Sequence, residues 1–524
     1  MKKIFSICLL VLISIKGFNQ IGQTPLHQFL SQQTENTFSD SLMPAFSGVK
    51  PYQQAWLPAN YLNTNTNYAK GKLYHLFNQH LLTYKDEQFQ TWLDPIVTIN
   101  GGSASNPSQK TYESVRGIQG GLSIKNKFWI GMAFTEHQSK FPGFVNTFAA
   151  ENRVLPGMGT FRPYKQSGYD YGISDAYIRW SPNSIFSSTL GYGKNFIGEG
   201  YRSFILSDNA FNYPFLQLNL NMRRFHYTAL FNQYQNLFYT LGDANQRKWS
   251  SLHYLTIKLG KRWHVGLMET IVWQAEDSTF QRGFDVSYLN PVLFLRPVEF
   301  SRNSPDNMLM GLHAKYRIIP QGYVYGQLVL DDFNLQLTKK QRQQHLNNKY
   351  AIQLGFKYYT KTSSGLQYNL RTEYNHARPY MYGHRKTAQS YTHFGQSLTH
   401  PLNANFHEGI LQQMVQKKKW YIDNIFQYAL VGREDSSTPY PDGNDLFAGE
   451  KNVPDFGSYT LQGIKQNQIT TNLSIGYVIQ PTWNLAIEGS LLYKSVQSPN
   501  QPLNSTVWFK IGLVTKLRNT YWEW

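Results

Sequence analysis

Cysteine is almost absent: the chain has one in 524 residues, Cys8. It lies in an N-terminal stretch that carries Lys2 and Lys3, then apolar residues from Ile4 to Ile15, then a short polar exit through Gly17 to Gln20. That is the pattern of a secretory signal, so residues 1–20 are expected to be removed and to take no part in the fold. Cys8 sits early in the apolar stretch with no small residues leading into it, which argues against a lipoprotein anchor. The mature chain is then expected to have no disulfide, no thiolate metal site and no cysteine nucleophile.

Long apolar runs are also missing. Beyond the N-terminus none approaches the roughly 18 residues that a spanning helix needs. Hydrophobic residues are 41% of the chain and mean hydropathy is −0.46, values ordinary for a soluble protein. Aromatics nevertheless reach 15%, with 36 Tyr, 33 Phe and 12 Trp. Strands that alternate an apolar face with a polar one, girdled by aromatics, account for both features at once. A propeller or β-helix would also be rich in Tyr and Gly, but it needs an internal repeat of fixed period, and none is visible.

Acidic residues are scarce relative to basic ones, 32 Asp+Glu against 50 Lys+Arg, for a formal net charge of +18. Behind an export signal this excess points away from nucleic acid and toward lipopolysaccharide phosphates, acidic polysaccharide or a polar lumen. Scattered solvated lysines are the plain alternative, since only short clusters such as Lys339–Lys340 and Lys417–Lys418–Lys419 occur.

Catalytic signatures are lacking too. The 14 histidines include no HExxH pair, and GEGYRS is not a GxSxG elbow. No HxSNG-like stretch of a barrel phospholipase occurs. Asp331 and Asp332 are adjacent and would point to opposite faces of a strand, so they cannot share a substrate as glycosidase carboxylates do. No catalytic residue, metal ligand or cofactor is assigned.

What the chain does contain is strand alternation. Phe128, Ile130, Met132 and Phe134 alternate with Trp129, Gly131 and Ala133, and Leu366, Tyr368, Leu370 and Tyr374 alternate with Gln367, Asn369, Arg371 and Glu373. Similar runs occur at Trp263–Met268, Ile352–Tyr358, Trp420–Tyr428, Ile469–Ile479 and Leu485–Ser495. A strand of ~10 residues with its connection averages roughly 25, so about 450 residues give on the order of 18 strands. The expected fold is all-β: a transmembrane antiparallel β-barrel of about 18 strands over residues 73–524, preceded by a short, partly helical periplasmic segment over residues 21–72. Short helices are expected near Leu26–Gln33 and Ala55–Tyr61. Residues 101–109 read as a turn and residues 141–172 as an extracellular loop.

The last stretch reads as the strand that closes the barrel. Val507, Phe509, Ile511 and Leu513 form one face; Thr506, Trp508, Lys510 and Gly512 form the other. Arg518 and Asn519 break the pattern, so a bulge or bend is expected there. Tyr521, Trp522 and the terminal Trp524 resemble the aromatic signal that hands outer-membrane barrels to their assembly machinery.

Three segments stand out by composition: residues 191–220 with the turn Ser207–Asp208–Asn209–Ala210, residues 285–316 (YLNPVLFLRPVE followed by SPDNMLMGL), and residues 390–408 (HPLNANFHE). Together, and in this order, they resemble the signature regions of the capsule-assembly Wzi-like family of outer-membrane barrels, which includes the gliding-motility RemB branch of the Bacteroidetes. Asn403 stands where that family would be expected to carry glycine. The resemblance implies an 18-stranded, non-enzymatic outer-membrane barrel that anchors or organises surface polysaccharide, or a gliding or adhesin component. A solute-diffusion porin and a barrel-housed lipid- or glycan-processing enzyme are the alternatives. The expected partners are outer-membrane lipid and lipopolysaccharide, the barrel-assembly machinery and surface polysaccharide.

From the residues alone, Asp208, Asn209, Asn290, Asp306, Asn307, Asn405 and Glu408 could line a polar site, because amides and carboxylates pair with sugar hydroxyls. Arg296 and Glu299 could add to it. A structural reading stands beside this one: Asp–Asn pairs form Asx turns, Asn290–Pro291 initiates a turn, and Arg296 with Glu299 could be a lumenal ion pair.

Overall fold

The computed structural model describes residues 22–39, 44–53, 56–57, 77–241, 244–276, 282–290, 306–333, 338, 341, 344–450 and 452–524. The segment expected to be a secretory signal lies outside them, as does most of the expected helix at 55–61.

Eighteen long antiparallel strands form one closed barrel. The first nine are β1 (Phe89–Ala104), β2 (Gln109–Ile124), β3 (Phe128–Lys140), β4 (Gly168–Trp180), β5 (Phe186–Gly193), β6 (Tyr213–Asn221), β7 (Phe225–Leu241), β8 (Ala244–Leu259) and β9 (Trp263–Gln274). The rest are β10 (Asn307–Ile319), β11 (Gly322–Phe333), β12 (Asn348–Lys361), β13 (Leu366–Ala377), β14 (Phe406–Lys417), β15 (Trp420–Arg433), β16 (Ile464–Gln480), β17 (Leu485–Gln497) and β18 (Asn504–Thr515). Each pairs with its neighbours in sequence, and β18 pairs with β1, from Trp508 opposite Ala104 to Leu513 opposite Ile99. Short strands Leu82–Lys85 and Arg162–Tyr164 add to the edges of β1 and β4.

Closure leaves no unpaired edge, the condition for a sheet to cross a bilayer. The alternation read from sequence is the alternation observed. Phe128, Ile130, Met132 and Phe134 face outward, as do Val507, Phe509 and Ile511, whereas Asn369, Arg371 and Glu373 are buried inside. The protein is therefore an outer-membrane β-barrel. The turn expected over 101–109 is shorter than that, because β1 continues to Ala104 and β2 starts at Gln109. The long connection after β3 covers 141–167 and contains helix α2 (Gly143–Asn152).

The two ends of the barrel differ. Eight connections of two to five residues lie at the end where both chain termini meet the wall, and the other end carries the long loops, five of them 19 residues or longer. Short turns mark the periplasmic side and long loops the extracellular side.

The interior is filled by the chain itself. Helix α1 (Gln28–Ser39) sits in the periplasmic half of the lumen, where Phe29 packs on Met414, Tyr421 and Ala486. The expected periplasmic segment is thus, in its described part, a lumenal plug. Its polar helix is held by polar wall residues, Gln32 to Gln412 and Gln33 to Gln416, both 3.0 Å, and Glu35 to Lys357 at 2.6 Å, and also by Lys50 of the N-terminal segment, 2.6 Å from Glu35. Inward tyrosines are accommodated where the facing strand has glycine, as with Tyr177 over Gly131, Tyr325 over Gly355 and Tyr421 over Gly476.

The end of the chain is the main departure from expectation. β18 stops at Thr515, so Tyr521, Trp522 and Trp524 are not on the closing strand. Arg518 and Asn519, expected to mark a bulge, mark the point where the chain leaves the wall: Arg518 pairs with Asp175, and the Asn519 amide donates to the carbonyl of Leu26 at 2.9 Å. From there the tail runs back through the lumen. At its start Leu517 accepts from the His27 N–H at 3.3 Å, and at its end the Trp524 ring packs on Phe144 and Phe148 of α2 in an extracellular loop. Nine residues of extended chain reach about 30 Å, roughly the thickness of the hydrocarbon core.

Candidate functional site

The centre of the lumen is built from two of the segments that stood out in the sequence. Residues 194–212, between β5 and β6, fold inward, and Phe204, Ile205 and Leu206 are fully buried in the largest apolar cluster. Gly198 and Gly200 make the inward turn possible: a Cβ on Gly198 would meet Gln327 and Ser203, and one on Gly200 would collide with the Glu373 carboxylate. Residues 378–405, between β13 and β14, fold down from the extracellular side onto this loop. Tyr382 donates to the carbonyl of Phe204 at 2.9 Å and Tyr391 to that of Ile205 at 3.1 Å, while the Ser207 N–H donates to Leu398 at 2.8 Å. Two stretches that were merely unusual in composition are therefore each other's packing partners.

A charged network lies beneath this contact. Arg202 is fully buried, 3.5 Å from both Glu408 and Glu523. Its guanidinium also lies over the rings of Tyr201 and Tyr521, 4.7 and 4.8 Å from the centroids. Glu408 accepts from Asn375 at 2.7 Å, from Gln427 at 2.5 Å and from His400 at 2.7 Å. The His400 tautomer is fixed by its neighbours: Nδ1 accepts from the Leu402 N–H at 3.1 Å, which leaves Nε2–H to donate to Glu408. Burial pushes the imidazole pKa down, against the pull of the Glu408 carboxylate, and favours the neutral ring. Asp208 closes the network, accepting from Tyr521 at 2.6 Å and from Asn519 at 2.8 Å, while its backbone carbonyl accepts from Lys194 at 3.0 Å. Buried charges persist when opposite charges and hydrogen bonds offset their desolvation: here Arg202 meets both carboxylates through Nη2, and its Nε and Nη1 have no hydrogen-bond partner among the described residues.

Asp208 and Glu408 are thus brought into one network through Tyr521, Arg202 and Glu523. Asn209 lies above it and donates to the carbonyl of Ser397 at 3.0 Å. Asn405 is wholly buried in a left-handed conformation, donating to Gly432 at 2.9 Å and Gln462 at 3.0 Å and accepting from the Leu461 N–H at 2.6 Å. Asp306 and Asn307 form a separate group near the extracellular rim. Asp306 takes both oxygens to Arg282 at 2.9 Å and accepts from Tyr288 at 2.6 Å; Asn307 donates to Gln389 at 3.0 Å. Asp285, in the same group, caps the turn Val286–Leu289: burial would raise its carboxyl, but the Ser287 N–H and Arg282 more than offset that and hold it below the usual carboxylate range. Asn290 ends that turn, half-buried. Arg296 and Glu299 fall outside the described residues.

The polar residues singled out from sequence, where described, are therefore not gathered in one open cleft. Asp208, Asn209, Asp306, Asn307, Asn405 and Glu408 are all buried, and each is engaged by the protein's own groups. Asp208 and Glu408 belong to the lumenal network, Asn209 and Asn405 hold neighbouring backbone, and Asp306 with Asn307 form the separate group at the rim. Sequence reasoning placed Glu373 on a polar strand face but passed over Arg202, Tyr201, His400 and Glu523. Arg202 and Tyr201 lie within GEGYRS, and the signal was a charge set between glycines and aromatics; Glu523, between two tryptophans, had the same signal.

A cavity of about 140 Å³ lies between the plug and the wall of β1–β6. Trp92, Tyr177 and Phe215 line it together with Asp175, Lys194 and Arg518.

No protein-family model matches the chain, and comparison with curated proteins gives no match. Among solved structures it is similar to Wzi, described as an outer-membrane protein involved in group 1 capsule assembly in Escherichia coli and as a carbohydrate-binding β-barrel. Identity is 10%, the match covers 94% of this chain and 99% of that one, and the TM-score is 0.53. It also matches OccAB2 of Acinetobacter baumannii, with 10% identity over 80% and 96% of the two chains and a TM-score of 0.42. OprD of Pseudomonas aeruginosa matches at 10% identity over 81% and 92%, with a TM-score of 0.42.

Proposed function

We propose that this barrel is a closed outer-membrane anchor that holds or organises surface polysaccharide, and that it does not conduct solutes. The observation that carries this reading is the filled lumen: α1, the two inward loops and the C-terminal tail occupy it from the periplasmic to the extracellular side, locked by the Arg202–Glu408–Glu523 network. A diffusion channel needs the opposite, an interior lined by side chains with water between them. Likeness of fold to a carbohydrate-binding barrel over nearly its whole length supports the polysaccharide part. The extracellular loops then present the glycan surface. Phe456 and Tyr459, exposed in the loop after β15, offer ring faces on which sugars stack.

In planar bilayers the intact protein should show little conductance, and large stable current steps would overturn the anchor reading. Truncation after Thr515 keeps β18 and so keeps closure, but removes Glu523 and Tyr521 from the network; refolded in detergent and reconstituted into bilayers, it should show flickering conductance. In a deletion strain cell-bound polysaccharide should fall and free polysaccharide in the medium should rise. Unchanged polysaccharide with lost surface spreading would assign the barrel to a gliding apparatus instead.

A further inference from the structure

The eight turns that join barrel strands at the periplasmic end, residues 125–127, 181–185, 222–224, 260–262, 320–321, 362–365, 418–419 and 481–484, hold eight cations and no acidic residue, while Asp86 and Glu87 stand at the same rim in the turn before β1, beside Lys125. The cations come in pairs on four turns: Lys125 and Lys127, Arg223 and Arg224, Lys261 and Arg262, Lys418 and Lys419. The extracellular loops are mixed by contrast, with Glu434, Asp435, Asp442 and Asp445 in the loop after β15 alone. Each of the four pairs is followed by an aromatic residue that opens an ascending strand and points outward: Phe128, Phe225, Trp263 and Trp420. Neighbouring strands extend this girdle. Trp263 packs on Tyr316 at 4.4 Å between centroids and Trp420 on Tyr477 at 5.0 Å, with the Lys419 ammonium 5.4 Å from the Tyr477 ring.

We infer that this ring of cations is a binding surface for the phosphates of anionic phospholipids in the periplasmic leaflet. Outward aromatics fix the level of the membrane interface, and a cation one residue beyond each of them stands at headgroup depth. The distribution round the barrel favours lipid over a docked protein. Going round the eighteen strands, the four turns are four, two, six and six strands apart, so the charge is spread round the rim with no gap wider than a third of it. A globular partner meets one side of such a ring; a bilayer leaflet meets all of it. The surface also continues the lipid-facing wall. Basic residues at an anionic membrane surface each contribute roughly a fivefold preference, and salt screens it.

The test is native mass spectrometry of the detergent-solubilised full chain with equal amounts of phosphatidylglycerol and phosphatidylcholine. The wild type should retain phosphatidylglycerol preferentially. Replacing Arg223→Gln, Arg224→Gln, Lys418→Gln and Lys419→Gln together should cut that preference on the order of tenfold or more, while Arg162→Gln, Lys165→Gln, Arg385→Gln and Lys386→Gln on the extracellular side should leave it unchanged. Heat-modifiable mobility in detergent gels reports whether each variant is folded. Should the periplasmic variant fail to fold, the wild type alone decides: the preference should collapse at high salt. Equal retention of the two lipids, equal effects of the two variants, or a preference indifferent to salt would overturn the inference. So would a soluble acidic polysaccharide, with alginate as the probe, displacing the lipid.

Discussion

The two faces of a single strand, β13, show how differently the wall and the interior are specified. Outward, Leu366, Tyr368, Leu370 and Tyr374 need only be apolar, because lipid accepts any apolar shape. Inward, Arg371, Glu373 and Asn375 each meet a partner from elsewhere in the chain. Arg371 reaches Gln28 of the plug and Gln412 at 3.1 Å, Glu373 accepts from the Tyr201 N–H, and Asn375 donates to Glu408 at 2.7 Å. The outer face is fixed by a rule about type, the inner face by individual pairings.

The largest expected effect comes from breaking the inner face. Glu408→Ala removes the carboxylate that Arg202, Asn375, Gln427 and His400 share, leaving buried donors unpaired. It should cost about 3–5 kcal/mol, seen as a lower unfolding temperature in detergent, and Glu408→Gln should cost clearly less because it keeps an acceptor. On the outer face Leu370→Arg puts a charge in lipid and should cost about 2–4 kcal/mol near the bilayer centre, while Leu370→Val should be nearly silent. Denaturant unfolding in lipid vesicles measures both. The smallest effect tests where the inner rule fades: Gln33→Ala removes one half-buried hydrogen bond at the edge of the plug and should cost about 0.5–1.5 kcal/mol. If an outward apolar swap proved as costly as Glu408→Ala, the contrast between faces would fail.

The same contrast explains what the sequence disclosed. Period-two alternation is local and has one cause, so the strand faces, the strand count of about 18 and closure by the stretch around Val507–Leu513 were legible. The interior was not, because its order lies in pairings such as Gln28 with Tyr201 or Arg202 with Glu523 that join residues hundreds of positions apart. Composition marked residues 191–220 and 390–408 as unusual without revealing that they pack on each other. The course of the tail was not legible for a physical reason: Tyr521, Trp522 and Trp524 pack on protein inside the lumen, and aromatics that meet lipid look the same in a sequence.

The tail also ties the seam to the interior. Thr515 ends the strand that seals the wall against β1, and the next nine residues run past α1 to the loops above. One continuous stretch of chain thus belongs both to the wall and to what the wall encloses, so that loosening the tail loosens the plug beside the very strand that closes the barrel.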